Sequence, residues 1–193
     1  MRTNQTQVVV AFDFTNSGRA ALYRALTLAA QSPSNVLHFV CVIEPHGSGI
    51  PSIPLHGAAT YQYAERVQQE LAEAIPQELA GMNIATHVHY FVHARIGKPA
   101  DEILQLAREV GADQIIVGTK GVTGVERLVL GSVAERVVRE ARCSVEVARA
   151  KTYDHVALLE MTEVQPHGDY VRPHRYSYSD HRAEQRPLDW PLY

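Results

Sequence analysis

The sequence is poor in cysteine, has no long apolar run and carries no excess of positive charge. Its two cysteines, Cys41 and Cys143, lie far apart in apolar stretches, so we expect a reducing compartment, the cytoplasm, and no disulfide framework. No apolar stretch approaches the ~20 residues of a membrane helix, and the first residues contain no signal-like apolar core. The formal net charge of -3 argues against nucleic acid as a partner.

Two common nucleotide-binding motifs are also missing. The sequence contains no G-x-x-x-x-G-K-[ST] loop, and no G-x-G-x-x-G follows a predicted strand. No combination of nucleophile, general base and orienting group stands out either. An efficient enzyme is therefore not expected.

Apolar runs alternate with helical patterns along the first 150 residues. The continuous runs at 8–12, 36–43 and 113–118 predict strands buried on both faces, whereas the alternating stretches 84–93 and 144–148 predict edge strands. Amphipathic helical patterns separate these five strands. The sequence therefore predicts an α/β fold: a parallel sheet with helices on both faces, in the doubly wound order 3-2-1-4-5.

Local signals place the first two helices and the loop between them. Asn16 or Ser17 is expected to cap the first helix. A long segment, 44–60, is rich in proline and glycine and is expected to be a functional or mobile loop. The second helix is predicted over about 61–80, with Pro76 producing a kink or an early end.

The character of the chain changes after residue 150. Residues 151–193 are rich in Arg, His, Tyr and Pro and show no sustained period. This composition predicts an extension that is either disordered or laid over a surface of the chain or of a partner subunit. We therefore divide the chain into a domain, 1–150, and an extension, 151–193, which could recruit a protein partner.

A glycine-rich segment follows the fourth predicted strand with the spacing Gly118-x2-Gly121-x9-Gly131-Ser132. Glycines let backbone N–H groups approach an anion closely, and the helix that begins at Gly131-Ser132 presents a positive dipole end. Asp13 follows the first strand, across the point where the strand order reverses. Together these residues predict a site for a nucleotide, with phosphates at the glycines and ribose hydroxyls at Asp13.

The same residues also permit structural interpretations. The glycines could form a tight turn with Ser132 only capping a helix, and Asp13 could serve as a loop or helix-entry residue. Lys120 and Arg127 could pair with phosphates or be solvated loop charges. These alternatives stay open at the level of the spacing alone.

Histidine is abundant, with ten residues. His87, His89 and His93 fall on one face of the third predicted strand. We interpret them as solvated edge-strand residues, because their spacing does not bring three metal ligands together. No metal site is predicted from the protein's own side chains.

Several segments, taken in order, resemble the universal stress protein family over roughly residues 5–149. "AFDFTNSGRAAL" is similar to the Asp segment of the family's first strand, "HFVCVIEP" to its second strand, and "GKPADEILQLAREVGADQIIVGTKG" to its third helix and fourth strand. The glycine spacing matches the family's G-x2-G-x9-G-[ST] motif. The resemblance implies the five-stranded, adenine nucleotide alpha hydrolase-like fold and binding of ATP or AMP, possibly with Mg²⁺.

The resemblance also implies roles for individual residues. Asp13 would bind the ribose, and the backbone of Val42 would contact adenine. Val117 and Gly118 would line the nucleotide at the end of the fourth strand. The phosphates would be held by the remaining motif residues and the backbone beside them, which are Gly121, Gly131, Ser132 and Val133. Ala134 departs from members that carry a hydroxyl group there.

Family members usually form homodimers through the fifth strand, which here carries Val145 and Val147 on one face. Ser144 and Glu146 depart from the family's more apolar pattern. The resemblance thus implies a cytoplasmic, nucleotide-binding stress-response or regulatory protein. The alternatives are a slow ATPase or autophosphorylating protein, and a nucleotide-free dimeric module that acts through its tail.

Overall fold

A computed structural model of the chain describes residues 5–82, 87–119 and 130–150. Within these ranges the strands are β1 (Thr6–Ala11), β2 (Asn35–Ile43), β3 (Gly49–Ile50), β4 (Ile53–Pro54), β5 (His89–Ile96), β6 (Gln114–Gly118) and β7 (Ser144–Ala148). The helices are α1 (Asn16–Gln31), α2 (Tyr61–Gly81), α3 (Pro99–Val110) and α4 (Ser132–Glu140).

Five of the strands form one sheet in the order β5-β2-β1-β6-β7. Every neighbouring pair in this sheet is parallel. Counted along the five predicted strands, this order is 3-2-1-4-5, so the predicted fold and the two predicted edge strands are confirmed. The order reverses between β1 and β6, where open α/β sheets form a crevice beyond the carboxyl ends of the strands.

Helices cover both faces of the sheet. Leu22 of α1 and Leu71 of α2 belong to the core cluster on one face, and Ile103 of α3 and Val137 of α4 belong to the cluster on the other. Neighbouring side chains of a strand point to opposite faces, so the central strands must be apolar at nearly every position. This explains the continuous apolar runs in the sequence.

Two predicted helix features differ from the structure. The N-cap of α1 is Thr15, not Asn16 or Ser17: its backbone is extended, and its side-chain oxygen accepts a hydrogen bond from the N–H of Gly18 at 3.1 Å. Of the two alternatives predicted for Pro76, the early end is wrong, because α2 continues to Gly81, close to the predicted end at residue 80. Burial of α2 against the sheet offsets the single N–H that proline removes.

The segment 44–60, predicted to be a loop, contains a small antiparallel sheet. Gly49 pairs with Pro54, and Ile50 pairs with Ile53. Both isoleucines are buried in the core cluster of α1 and α2. Two-residue strands are too short to show an alternating pattern, which is why the sequence does not reveal this hairpin.

β5 begins and ends later than the predicted stretch 84–93, part of which (84–86) lies outside the described residues. Its last residues form polar contacts that a hydrophobic pattern cannot indicate. Arg95 forms ion pairs with Glu109 and, at 3.6 Å, with Glu102 of α3.

Residues 151–193 also lie outside the described residues, so the division at residue 150 stays a prediction.

Candidate functional site

A cavity of about 340 Å³ opens at the point where the strand order reverses. This volume is in the range of small-molecule sites. One part of the cavity wall is apolar and consists of side chains from β2, β6, α3 and α4. Another part is polar and lies at the ends of β1 and β6 and at the start of α4. The apolar residues include Val40, Val42, Ile103, Val117 and Ala134, and the polar part includes Asp13, Thr119, Gly131 and Ser132.

The structure brings together the predicted site residues that it describes. They all line this one cavity: Asp13, Val42, Val117, Gly118, Gly131, Ser132 and Val133. Gly121, Lys120 and Arg127 lie outside the described residues. That a nucleotide occupies the cavity and contacts these residues stays a prediction.

Asp13 is held in place by the residue that caps α1. Its Oδ1 accepts hydrogen bonds from the backbone N–H of Thr15, at 3.1 Å, and from the Thr15 hydroxyl. Both hydrogen bonds that Asp13 forms within the described part of the chain use Oδ1, and its carboxylate lines the cavity. The helix-entry interpretation and the ligand interpretation of Asp13 are therefore compatible.

Two residues beside Asp13 give the turn its shape, and the sequence analysis missed both. Phe14 has a φ of 61°, a conformation that bulky residues seldom adopt, and its ring packs against that of Phe12. Gly18 faces Asp13 so closely that a Cβ there would lie 3.0 Å from the Asp13 backbone nitrogen and closer still to Oδ1. A strained turn and a close approach at a cavity wall are typical of functional sites.

Gly118 has a structural role in addition to lining the cavity. A Cβ at this position would lie 2.6 Å from the carbonyl carbon of Ser17 and 2.7 Å from its Oγ. The glycine therefore allows the end of β6 to approach the first turn of α1. Neither access to a ligand nor a tight turn, the two interpretations offered by the sequence, includes this approach between β6 and α1.

We expect Gly118→Ala to lower the free energy of unfolding by about 1.5 kcal/mol, because β6 and α1 must separate. The matched control is Gly97→Ala, where the three atoms nearest to the added Cβ belong to the flexible side chain of Glu102 and not to the backbone. Denaturant unfolding of both variants measures the difference. Equal stability of the two variants would contradict the close-approach explanation.

The start of α4 forms the polar wall opposite Asp13. Gly131 is the N-cap, with no side-chain capping hydrogen bond, and its own N–H donates to the carbonyl of Thr119 at 2.8 Å. Ser132 is the first helical residue and is not the cap, so the capping interpretation of Ser132 is wrong. A helix N-terminus without a side-chain cap offers N–H groups and a positive dipole end to an anion.

Comparison with known proteins assigns the chain to a family. The model of the Universal stress protein family matches residues 5–149. The chain belongs to the universal stress protein family. Curated relatives include a universal stress protein of Methanocaldococcus jannaschii, 28% identical over 143 residues, which covers 74% of this chain and 81% of the relative. Another, from Bacillus subtilis, is 28% identical over 151 residues, covering 74% of this chain and 98% of the relative.

Solved structures of universal stress proteins share the fold. UspA from Lactobacillus plantarum matches with a TM-score of 0.57 at 22% identity, covering 77% of this chain and 100% of that one. A family member from Burkholderia pseudomallei matches with a TM-score of 0.53 at 23% identity, covering 78% and 100%. These structures support the fold, and the family model over residues 5–149 confirms the family predicted from the sequence segments.

Burial disfavours the thiolate form of both cysteines of this universal stress protein. Burial, and then the charge of Asp13, raise the pKa of Cys41 to about 12. Burial, and then Asp113, raise the pKa of Cys143. Since the thiolate is the nucleophilic form, chemistry at the cavity would have to come from other groups.

The interpretation of the edge-strand histidines as solvated is wrong for His93. This residue is half-buried, and its Nε2 lies 3.1 Å from Nδ1 of His38, a buried residue of β2 that the sequence analysis did not single out. His87 and His89 are exposed.

Across the described ranges, no group of three or more His, Cys, Asp or Glu is arranged to hold a metal ion. Within the same ranges, no helix has the length and hydrophobicity to cross a membrane.

Proposed function

We propose that this universal stress protein binds an adenine nucleotide, AMP or ATP, in the cavity and acts as a cytoplasmic stress-response or regulatory protein. One observation carries the proposal: an apolar recess, a fixed carboxylate and an uncapped helix N-terminus line the same cavity at the switch point of the sheet. These three features match the base, the ribose and the phosphates of a nucleotide.

The proposed orientation follows from the two parts of the wall. The base lies in the apolar recess beside Val42 and Val117, and the ribose hydroxyls donate to Asp13. The phosphates lie at Gly131 and Ser132, with the Val133 backbone close by, and the proposal extends to Gly121 in the motif. With ATP, Mg²⁺ would bind through the phosphate oxygens, since it usually keeps few protein ligands.

Mass spectrometry of nucleotide released from the denatured protein, followed by calorimetric titration with AMP and ATP, with and without Mg²⁺, tests the proposal. Bound or titratable adenine nucleotide supports it. A protein without nucleotide that gives no binding heat would contradict it and would favour the dimeric module acting through residues 151–193. ATP turnover above that of a variant altered at Gly131 would favour the slow ATPase.

We expect Asp13→Asn to weaken AMP binding about tenfold, because a hydrogen bond from ribose to a charged acceptor is lost. Asparagine has the same shape and can still accept from Thr15 through its Oδ1, so the turn at the start of α1 should be kept. Calorimetry with AMP and with its 2′,3′-dideoxy analogue measures the effect. If the dideoxy analogue, which has no ribose hydroxyls, loses as much affinity as AMP, Asp13 does not bind the ribose.

The proposal includes a homodimer formed through β7. This strand lies at the edge of the sheet, and Val145 and Val147 are only partly buried on the face of α3 and α4. Glu146 faces the other side, where Arg24 and Gln114 contact its carboxylate. Its charge is thereby neutralised within the subunit. Sedimentation velocity at micromolar concentration tests the dimer, and a monomer at every concentration would contradict it.

A further inference from the structure

The hairpin β3–β4 contributes a wall to the candidate nucleotide cavity. Residues Gly47–Ile50, which we call the hairpin wall, line the cavity beyond the end of β2, next to Ile43. They line the same cavity as Val42, beside which the proposed orientation places the base. A short two-stranded hairpin is only marginally stable by itself, so contacts with the rest of the fold must fix this wall.

Burial of Ile50 and Ile53 in the core provides apolar contacts, and one side chain of α2 provides polar ones. Tyr63 is only 7% exposed, and its hydroxyl bridges the two strands of the hairpin. The hydroxyl accepts a hydrogen bond from the backbone N–H of Ile50, at 3.1 Å, and donates one to the carbonyl of Ile53. Both hydrogen bonds are buried, so neither backbone group has access to solvent as a replacement partner.

Gly49 makes this contact possible. Its φ is 82°, in the left-handed region that favours glycine. A Cβ at Gly49 would lie 2.5 Å from the backbone nitrogen of Leu55 and 2.7 Å from the carbonyl oxygen of Ile53, and it would overlap the Tyr63 hydroxyl. The hydroxyl and the missing side chain therefore fit each other, and together they set the distance of the hairpin wall from α2.

We propose that Tyr63 and Gly49 are positioning residues for the base of the bound nucleotide. They hold the hairpin wall against the apolar recess, so that the recess stays narrow enough for a flat base. Neither residue acts on the phosphates, which the proposed orientation places at the start of α4. This inference rests on the proposed function, and it separates recognition of the base from recognition of the phosphates.

Tyr63→Phe tests the proposal by removing one oxygen atom and keeping the buried ring. We expect AMP affinity to fall about tenfold, because two buried backbone groups lose their partner and the wall loosens. Affinity for ribose 5-phosphate, measured by competition with AMP, should stay the same because this ligand has no base. If Tyr63 had only a structural role, Tyr63→Phe would weaken the binding of AMP and of ribose 5-phosphate equally.

The matched control for this variant is Tyr61→Phe. Tyr61 is also on the first turn of α2 but is 87% exposed, so loss of its hydroxyl should not affect AMP binding. For Gly49→Ala the control is Gly57→Ala. Gly57 has a φ of 94°, yet a Cβ there meets nothing within 4 Å. Both alanine variants adopt an unfavourable backbone conformation, but only Gly49→Ala displaces the wall.

Hydrogen exchange of the amides at 47–50 gives a second readout. We expect faster exchange in Tyr63→Phe than in the wild type, and protection by AMP in the wild type. Unchanged AMP affinity in Tyr63→Phe would overturn the inference, as would an equal loss for AMP and ribose 5-phosphate. Absence of AMP binding to the wild-type protein would instead overturn the proposed function, so the two failures are distinguishable.

Discussion

Gly131→Asp is expected to weaken AMP binding at least about a hundredfold, or about 2.7 kcal/mol, while leaving the domain as stable as the wild type. Gly131 is the N-cap of α4, with extended backbone at φ -60° and ψ 149°. Aspartate suits this position, since its carboxylate accepts a hydrogen bond from an N–H of the first helical turn. In the proposed complex, the same N–H groups and the same positive field bind the phosphate. The new carboxylate therefore competes with the phosphate and repels it.

Gly131→Asn is the matched control, because asparagine caps a helix about as well as aspartate but carries no charge. We expect it to lower AMP affinity by an intermediate amount, about tenfold. Calorimetry gives the affinities, and denaturant unfolding verifies that both variants fold. If a stable Gly131→Asp variant binds AMP as tightly as the wild type, the phosphate does not lie at the start of α4.

The fold was predictable because its strongest signals are local in the sequence. Residues 8–12 and 36–43 are apolar at nearly every position, which only a strand covered on both faces requires. The alternating stretch 144–148 belongs at an edge, and the strand order follows from these two classes. By contrast, Thr15 is the cap of α1 because its side chain accepts a particular hydrogen bond from Gly18, and the sequence offered Asn16 and Ser17 for the same role.

The candidate site was predictable where its residues follow a strand or precede a helix, as Asp13 and Gly131 do. The residues that shape it depend on contacts between distant segments. Position 118 is a glycine because Ser17 lies against it. Position 49 is a glycine because Tyr63 lies against it. Such pairs leave no periodic pattern in the sequence, so the hairpin wall and its support could be found only in three dimensions.

The same limitation applies to His38. In the sequence it is one residue within an apolar run, and in the structure it is a buried imidazole, 7% exposed. Its Nε2 lies 2.9 Å from Oε1 of Gln7, and its Nδ1 lies 3.1 Å from His93. Phe91 stacks on its ring, and His89 adjoins Phe91. Burial, then His93 and His89, lower the pKa of His38 from 6.5 to about 4.

This environment predicts that the free energy of unfolding falls by about 2 kcal/mol when the pH is lowered from 7 to 5, because of His38. The unfolded chain binds a proton at His38 more readily than the folded chain does, so stability rises with pH across this window. The contribution is complete above pH 6.5 and is lost as the pH falls toward 4. Burial also lowers the pKa of His93, which adds to the effect in the same direction.

Denaturant unfolding of the wild type and of His38→Gln at pH 7, 6 and 5 measures this contribution. Glutamine is neutral at every pH and can still form hydrogen bonds, so the variant should lose most of the difference between pH 7 and pH 5, whatever its stability at pH 7. His56→Gln, an exposed substitution in the loop before α2, controls for the change of residue type. If His38→Gln loses stability toward pH 5 as steeply as the wild type, His38 is not the buried group that titrates. The acid sensitivity would then have to come from another group that titrates in this range, such as the half-buried His93, whose pKa burial also lowers.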